Sequence, residues 1–131
     1  MFSFKSFMKR KIVSFDFDGV LHTSMAGPNS TAPYDFWTSD LEPNSGMFRK
    51  VKEEARRNKV VVVSSRDPSM ESILWEFIQK YNLPISAVYC LGSGQKLPTL
   101  ESLGVVRHYD DSQKVFAEFA AADTDIELIK V

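Results

Sequence analysis

Residues 14–22 read SFDFDGVLH: an apolar run broken by Asp16 and Asp18, then Gly19, then apolar residues again. Ionised carboxylates rarely go inside a protein unless a cation or a set of donors meets them. A strand over Ile12–Phe17 that carries two of them therefore needs partners from elsewhere in the chain. Asp16 is expected at the last in-strand position facing a cleft. Asp18 is expected at the turn that Gly19 permits, so that both carboxylates point into the same cleft.

Working outward, four more β-rich runs follow: Val60–Ser64, Ala87–Leu91, Val105–Tyr109 and Ile126–Val131. The run KVVVVSS is continuous rather than alternating, as a central parallel strand covered on both faces requires. Helical patterns lie between the runs. Gly46–Asn58 places Met47, Phe48, Val51 and Ala55 on one side. A second helix opens with Asp67 as N-cap and Pro68 as first helical residue, and Ile73, Leu74, Phe77 and Ile78 form its apolar face. Leu97–Leu103 is stopped by Gly104, and Asp111–Ala122 turns Val115, Phe116 and Phe119 inward. This alternation predicts an α/β domain, doubly wound, with a five-stranded parallel sheet and helices on both faces. The exception is Leu21–Ser45, rich in turn residues yet holding Tyr34, Phe36 and Trp37. At that length it reads as an ordered flap beside the end of the first strand, with the aromatic residues packing it onto the core.

With 131 residues the chain is read as one domain spanning 1–131. Its 16 basic and 17 acidic side chains give a net charge of -1, which provides no general electrostatic footprint for nucleic acid or membranes; a local basic patch stays open. Cys90 is the single cysteine, so no internal disulfide forms, and it reads as a small strand hydrophobe. The stretch MFSFKSFMKRKIVSF puts its positive charges after its first apolar residues, unlike a secretory signal. No window approaches the roughly 18 apolar residues of a membrane span. A soluble, cytoplasmic protein with no membrane partner is the expectation.

In an open α/β sheet, ligands bind outside the carboxyl ends of the strands. Asp16, Asp18 and Gly19 follow the first strand, and Ser64, Ser65 and Arg66 the second. Lys96 comes after the Gly92-Ser93-Gly94 turn, and Asp110 with Asp111 after the fourth strand. The polar groups of interest all fall on one edge. Phosphoryl transfer through an aspartyl phosphate fits that set. One carboxylate attacks phosphorus, others hold Mg2+, and a hydroxyl and an ammonium ion stabilise the transferring oxygens. A receiver domain uses a similar toolkit, but its phosphoacceptor Asp lies on strand three, where this chain has Tyr89-Cys90-Leu91.

SFDFDGVLH resembles the first motif, DxDGV/T, of the haloacid dehalogenase-like superfamily of Mg2+-dependent phosphatases. VVVVSSR is similar to its second motif, Lys96 to its third-motif Lys, and HYDDS to its fourth. The resemblance runs from residue 12 to about 122. It implies Asp16 as nucleophile and Asp18 as general acid/base whose backbone carbonyl also binds Mg2+. It implies Ser64, with Ser65 as rival, on the phosphoryl group, and Lys96 neutralising charge. Asp16, Asp18, Asp110 and Asp111 form the metal site, with either of the adjacent acids as direct ligand and Asp111 favoured. The implied fold is a three-layer Rossmann-like sheet with strands in the order 5-4-1-2-3.

Some side chains keep two readings. Arg66 continues the second motif as SSRD, which looks like the variant in some polynucleotide phosphatases, where Arg reaches a substrate phosphate; it otherwise pairs with Asp67 or a neighbouring acid. Ser65, Arg66 and Gly19 are the substrate-binding set. Asp110-Asp111 can cap the following helix while binding metal. His22 either lines the entrance or packs locally in the flap, and His108 reads as a satisfied, partly buried histidine. Within the family the chain looks capless, with only the flap after strand one. An open cleft suits a large substrate, so the resemblance implies a nucleotide or polynucleotide end phosphate and a likeness to the phosphatase half of polynucleotide kinase-phosphatases. A phosphoprotein, a small phosphometabolite, or a catalytically idle binding module on the same fold are the alternatives.

Overall fold

The structure, a computed structural model, describes residues 10–24 and 37–131. Among the described residues, five strands alternate with four helices: β1 (Ile12–Phe15), α1 (Ser45–Ala55), β2 (Lys59–Ser64), α2 (Glu71–Lys80), β3 (Ala87–Cys90), α3 (Leu97–Leu103), β4 (Val105–Asp110), α4 (Gln113–Ala120) and β5 (Glu127–Lys130). All pairings are parallel, in the order β3-β2-β1-β4-β5. Read from the other edge, this is the order expected.

The valine run explains the layers. Val60 and Val62 pack into one cluster with Val51 of α1 and Leu74, Phe77 and Ile78 of α2. Val61 and Val63, pointing the other way, pack with Leu97 and Leu100 of α3 and Val115 and Phe119 of α4. A strand buried on both faces has no polar side to show, so it reads as an unbroken apolar run. The sheet is thus the middle of three layers, a Rossmann-like arrangement.

Helix ends follow local chemistry. Asp67 caps a 3-10 turn (Pro68–Met70) that leads into α2, its side chain accepting from the Ser69 N–H at 2.9 Å. Gly104 ends α3 in the left-handed conformation, φ 75°. Asn44 caps α1, accepting from the Met47 N–H. Boundaries differ from expectation by up to three residues, most at the end of α1. There Arg56 and Arg57 leave the helix for hydrogen-bonded turns that bring the chain back to β2.

The first expected strand is also shorter than its apolar run. β1 ends at Phe15 because the chain begins to turn, although the Asp16 N–H still donates to the Tyr109 carbonyl at 2.9 Å. Phe17, Val20 and Leu21, beyond the strand, are fully buried. The expected flap has an ordered neck. The Thr23 N–H donates to the Glu42 carbonyl (2.9 Å) and the Asn44 N–H to the Leu21 carbonyl (3.0 Å). Tyr34 and Phe36 lie outside the described residues. Trp37, expected to pack onto the core, is 64% exposed. Among the described residues, no helix is long and apolar enough to cross a membrane.

Candidate active site

Ser14 and Asp16 lie two residues apart on the sheet face covered by α3 and α4, as do His108 and Asp110 on the neighbouring β4. Lys96, at the start of α3, reaches toward the same face. Its ammonium lies 2.9 Å from Asp16 Oδ1 and 2.9 Å from Asp110 Oδ2, and all three side chains are buried. Glu118 of α4 fixes the start of α3: its carboxylate accepts from the backbone N–H groups of Lys96 (3.1 Å) and Leu97 (2.8 Å).

Asp110 accepts from three donors. Its Oδ2 accepts from Lys96 Nζ and from His108 Nε2 (2.7 Å), and its Oδ1 from the Ser112 N–H (2.9 Å). On the far side of the imidazole, His108 Nδ1 meets Ser14 Oγ at 2.7 Å. A continuous chain of polar contacts therefore runs Ser14–His108–Asp110–Lys96–Asp16 through otherwise apolar interior. His108 is fully rather than partly buried, and its partner Asp110 two residues on is a spacing that the sequence does display.

Burial and neighbouring charge pull these groups in different directions. Burial pushes the Asp16 carboxyl up, against the pull of Lys96 and with a further push from Asp110. Burial also works to lower the Lys96 pKa, but the two carboxylates outweigh it and hold the ammonium charged. Asp110 goes below the usual carboxylate range despite its burial, because His108 and Lys96 hold its charged form. Asp111, half-buried, is raised by burial and by Asp110.

Carboxylate oxygens of Asp16, Asp110 and Asp111 all lie within 4.8 Å of one another. Three acids this close, with Lys96 bridging two of them, leave an excess of negative charge in a low-dielectric place. An all-oxygen donor set of this kind suits a hard divalent cation. Gly19 stands against the group: its φ is +77°, and a Cβ there would collide with the Asp111 carboxylate. The Asp18 side chain is not in this cluster.

Asp18 turns instead toward β2 and the flap neck. Arg66 grips both of its oxygens, Nε at 3.2 and 3.0 Å and Nη2 at 2.8 Å, and the guanidinium sits over the Phe17 ring, 5.1 Å from the centroid. His22 Nε2 lies 2.7 Å from Asp18 Oδ1. Of the readings of Arg66, the ion pair with a neighbouring acid is the one seen; Asp67 is engaged in capping instead. His22 does not line an entrance. It is fully buried and packs locally, and it bonds Asp18, four residues back, a pairing the sequence reading does not include. Ser64 is buried at the end of β2, its Oγ accepting from the Arg66 N–H (3.0 Å), whereas Ser65 is exposed. The structure thus places the expected residues on one edge but in two groups. Asp16, Lys96, Asp110 and Asp111 form one, and Asp18, Arg66 and His22 the other.

Fold and edge together define an α/β protein with a Rossmann-like parallel sheet and an acidic, lysine-bridged cluster at the carboxyl ends of its strands. No family model matches the sequence, and no curated protein matches it. Solved structures share the fold. A chain of the Pnkp1/Rnl/Hen1 RNA repair complex superposes with a TM-score of 0.74 at 20% identity, over 94% of this chain and 42% of that one. A chain from another structure of the Pnkp1/Rnl/Hen1 complex gives 0.73 at 19% identity, over 95% and 47%. The chain therefore spans less than half the length of these neighbours.

Proposed function

We propose that the chain is a Mg2+-dependent phosphatase of the haloacid dehalogenase-like type that works through an aspartyl phosphate. Its substrate on this reading is the end phosphate of a nucleotide or polynucleotide. The observation that carries the proposal is the Lys96 ammonium, 2.9 Å from both Asp16 and Asp110, with Asp111 beside them. A carboxylate attacking a phosphate dianion meets like charge, so a nucleophile needs cations built around it.

Asp16, at the mouth of β1, attacks phosphorus and the bond from phosphorus to the ester oxygen breaks. Asp18 supplies the proton that the departing oxygen needs. Water then attacks the phosphorus of the aspartyl phosphate and gives its proton to Asp18; inorganic phosphate leaves and Asp16 is restored. Ser64 and Lys96 bind the transferring oxygens. Asp16, Asp110, Asp111 and the Asp18 carbonyl would hold Mg2+, which offsets the negative charge shared by nucleophile and phosphate. On this reading Arg66, now on Asp18, exchanges that acid for a substrate phosphate.

The polynucleotide reading rests on the short interval after the first strand, which the resemblance reads as a flap in place of a cap, and on the fold shared with chains of an RNA repair complex. Hydrolysis of an aryl phosphate with Mg2+, with EDTA and Asp16→Asn as controls, tests the chemistry. Activity that survives either control overturns it. A screen of 3′- and 5′-phosphorylated oligonucleotides beside nucleotides and sugar phosphates tests the substrate. The absence of any preference for nucleotides or oligonucleotides overturns that part.

A further inference from the structure

His22 is a buried titratable side chain for which the chemistry above has no use. Its Nδ1 accepts from the Ser24 N–H at 3.2 Å. A ring nitrogen that accepts carries no proton, so the hydrogen of the neutral ring is on Nε2 and is donated to Asp18 Oδ1 at 2.7 Å. The tautomer is therefore set by the backbone of the flap neck. That neck is itself pinned: Glu42 N–H donates to Ser24 Oγ at 2.6 Å, and Asn44 Nδ2 to the Val20 carbonyl at 3.0 Å. The ring packs against Phe17 and Phe77, centroids at 4.9 and 6.3 Å, where a hydrogen bond is stronger than in water.

Arg66 also holds Asp18, but as a cation beside a phosphate site it has a competing anion whenever substrate arrives. The His22 ring is instead tied through Nδ1 to the Ser24 N–H. Of these two holds, seen among the described residues, the one from His22 follows the flap neck.

We propose that His22 is a positioning residue, fixed by the flap neck, that aims the Asp18 carboxyl at the leaving oxygen throughout turnover. This rests on the phosphatase reading and adds to it a structural purpose for the neck. Loss of aim shows where the leaving group needs a proton. An alkyl phosphate does; p-nitrophenyl phosphate, whose phenolate leaves unaided, does not. Reading kcat/KM confines the comparison to the steps through phosphoryl transfer.

The experiment compares β-glycerophosphate with p-nitrophenyl phosphate for the full chain with Mg2+. Because His22→Ala in a buried position can fail to fold, the decisive variants are His22→Asn and His22→Gln. The Asn amide ends near the Nδ1 position, short of Asp18, whereas the Gln amide reaches the Nε2 position and keeps a donor. In His22→Asn the kcat/KM ratio of alkyl to aryl ester is expected to fall by roughly tenfold or more, a fraction of what a general acid contributes. His22→Gln is expected to restore much of that ratio. Equal losses on both esters, or the same ratio in both variants, overturn the inference while the phosphatase reading stands. A wild-type chain that hydrolyses neither ester, or whose activity survives Asp16→Asn, overturns both.

Discussion

Ser14 Oγ and His108 Nδ1 meet at 2.7 Å where β1 and β4 run side by side, the two residues being register partners. Burial lowers the His108 pKa against the pull of Asp110, and so favours the neutral ring. Because the Asp110 carboxylate only accepts, Nε2 must carry the ring hydrogen, and the Ser14 hydroxyl must donate to Nδ1. Ser14→Ala removes that donor from a fully buried nitrogen. An unsatisfied buried polar group costs about 1–3 kcal/mol, and urea denaturation is expected to show a loss of that size. A change within about 0.5 kcal/mol, the scale of a neutral surface substitution, would mean that the hydroxyl is not what fixes the ring.

A second polar group lies on the opposite face of the sheet. Arg107 donates to Glu54 through Nε (2.7 Å) and Nη2 (2.8 Å), and the Tyr109 hydroxyl donates to the same carboxylate at 2.7 Å. The Arg107 hydrogen bonds, with those of Tyr109 and Asn58, hold the Glu54 pKa below its ordinary 4.5. A carboxyl that titrates lower when folded contributes stability above its unfolded pKa, and that contribution is lost as the pH falls through the folded value. Glu54→Gln is therefore expected to be less stable than the parent at pH 7, by about 1 kcal/mol for a partly exposed pair. The difference should shrink steadily below pH 4.5, and melting temperatures from pH 7 to pH 3 measure it. A gap that widens toward acid would contradict this account.

Much of the fold is legible in the sequence because its signals are local. The unbroken Val60–Val63 run, the Asp67-Pro68 opening and Gly104 each specify their surroundings through backbone and burial alone. The edge holding the polar residues follows from topology, since parallel strands all end on the same side. What the sequence does not display is which acid meets which cation. Arg66 lies next to Asp67 in the chain but grips Asp18, 48 positions away, because the β1–β2 register brings the two loops together. His22 and His108 look incidental until their partners, at spacings of four and two, are seen to share a turn and a strand face. The end of β1 is not legible in the sequence because Phe17 is as buried as a strand residue although the chain has already turned.

Gly19 joins backbone geometry to the acidic cluster. At φ +77° an L-residue is strained by about 1–2 kcal/mol, and a Cβ would also strike the Asp111 carboxylate. Gly19→Ala must push Asp111 away from Asp16 and Asp110. The variant is expected to lose about that much stability and also to need more Mg2+ for half-maximal hydrolysis. Titrating Mg2+ against activity separates the effects. An unchanged Mg2+ requirement would remove Asp111 from the proposed metal site.

The adjacent acids are expected to respond differently to loss of charge. Asp110 is fully buried and already bonded to Lys96, His108 and the Ser112 N–H, so Asp110→Asn disturbs a closed network. It places an amide where two donors converge, and breaking one partner of a buried pair costs roughly 3–5 kcal/mol. Asp111 is half-buried, and its carboxylate faces Gly19 and the other two acids. Asp111→Asn removes charge from the cluster and leaves that network intact. It also relieves repulsion, since its own pKa is raised by burial and by Asp110. Thermal melts and Mg2+ titrations on both variants are expected to split. Asp110→Asn should lower the melting temperature strongly. Asp111→Asn should melt near the parent but need about tenfold more Mg2+ or greater, as loss of one ligand implies. The reverse pattern would make Asp110 the main ligand of the proposed metal site and Asp111 the structural acid.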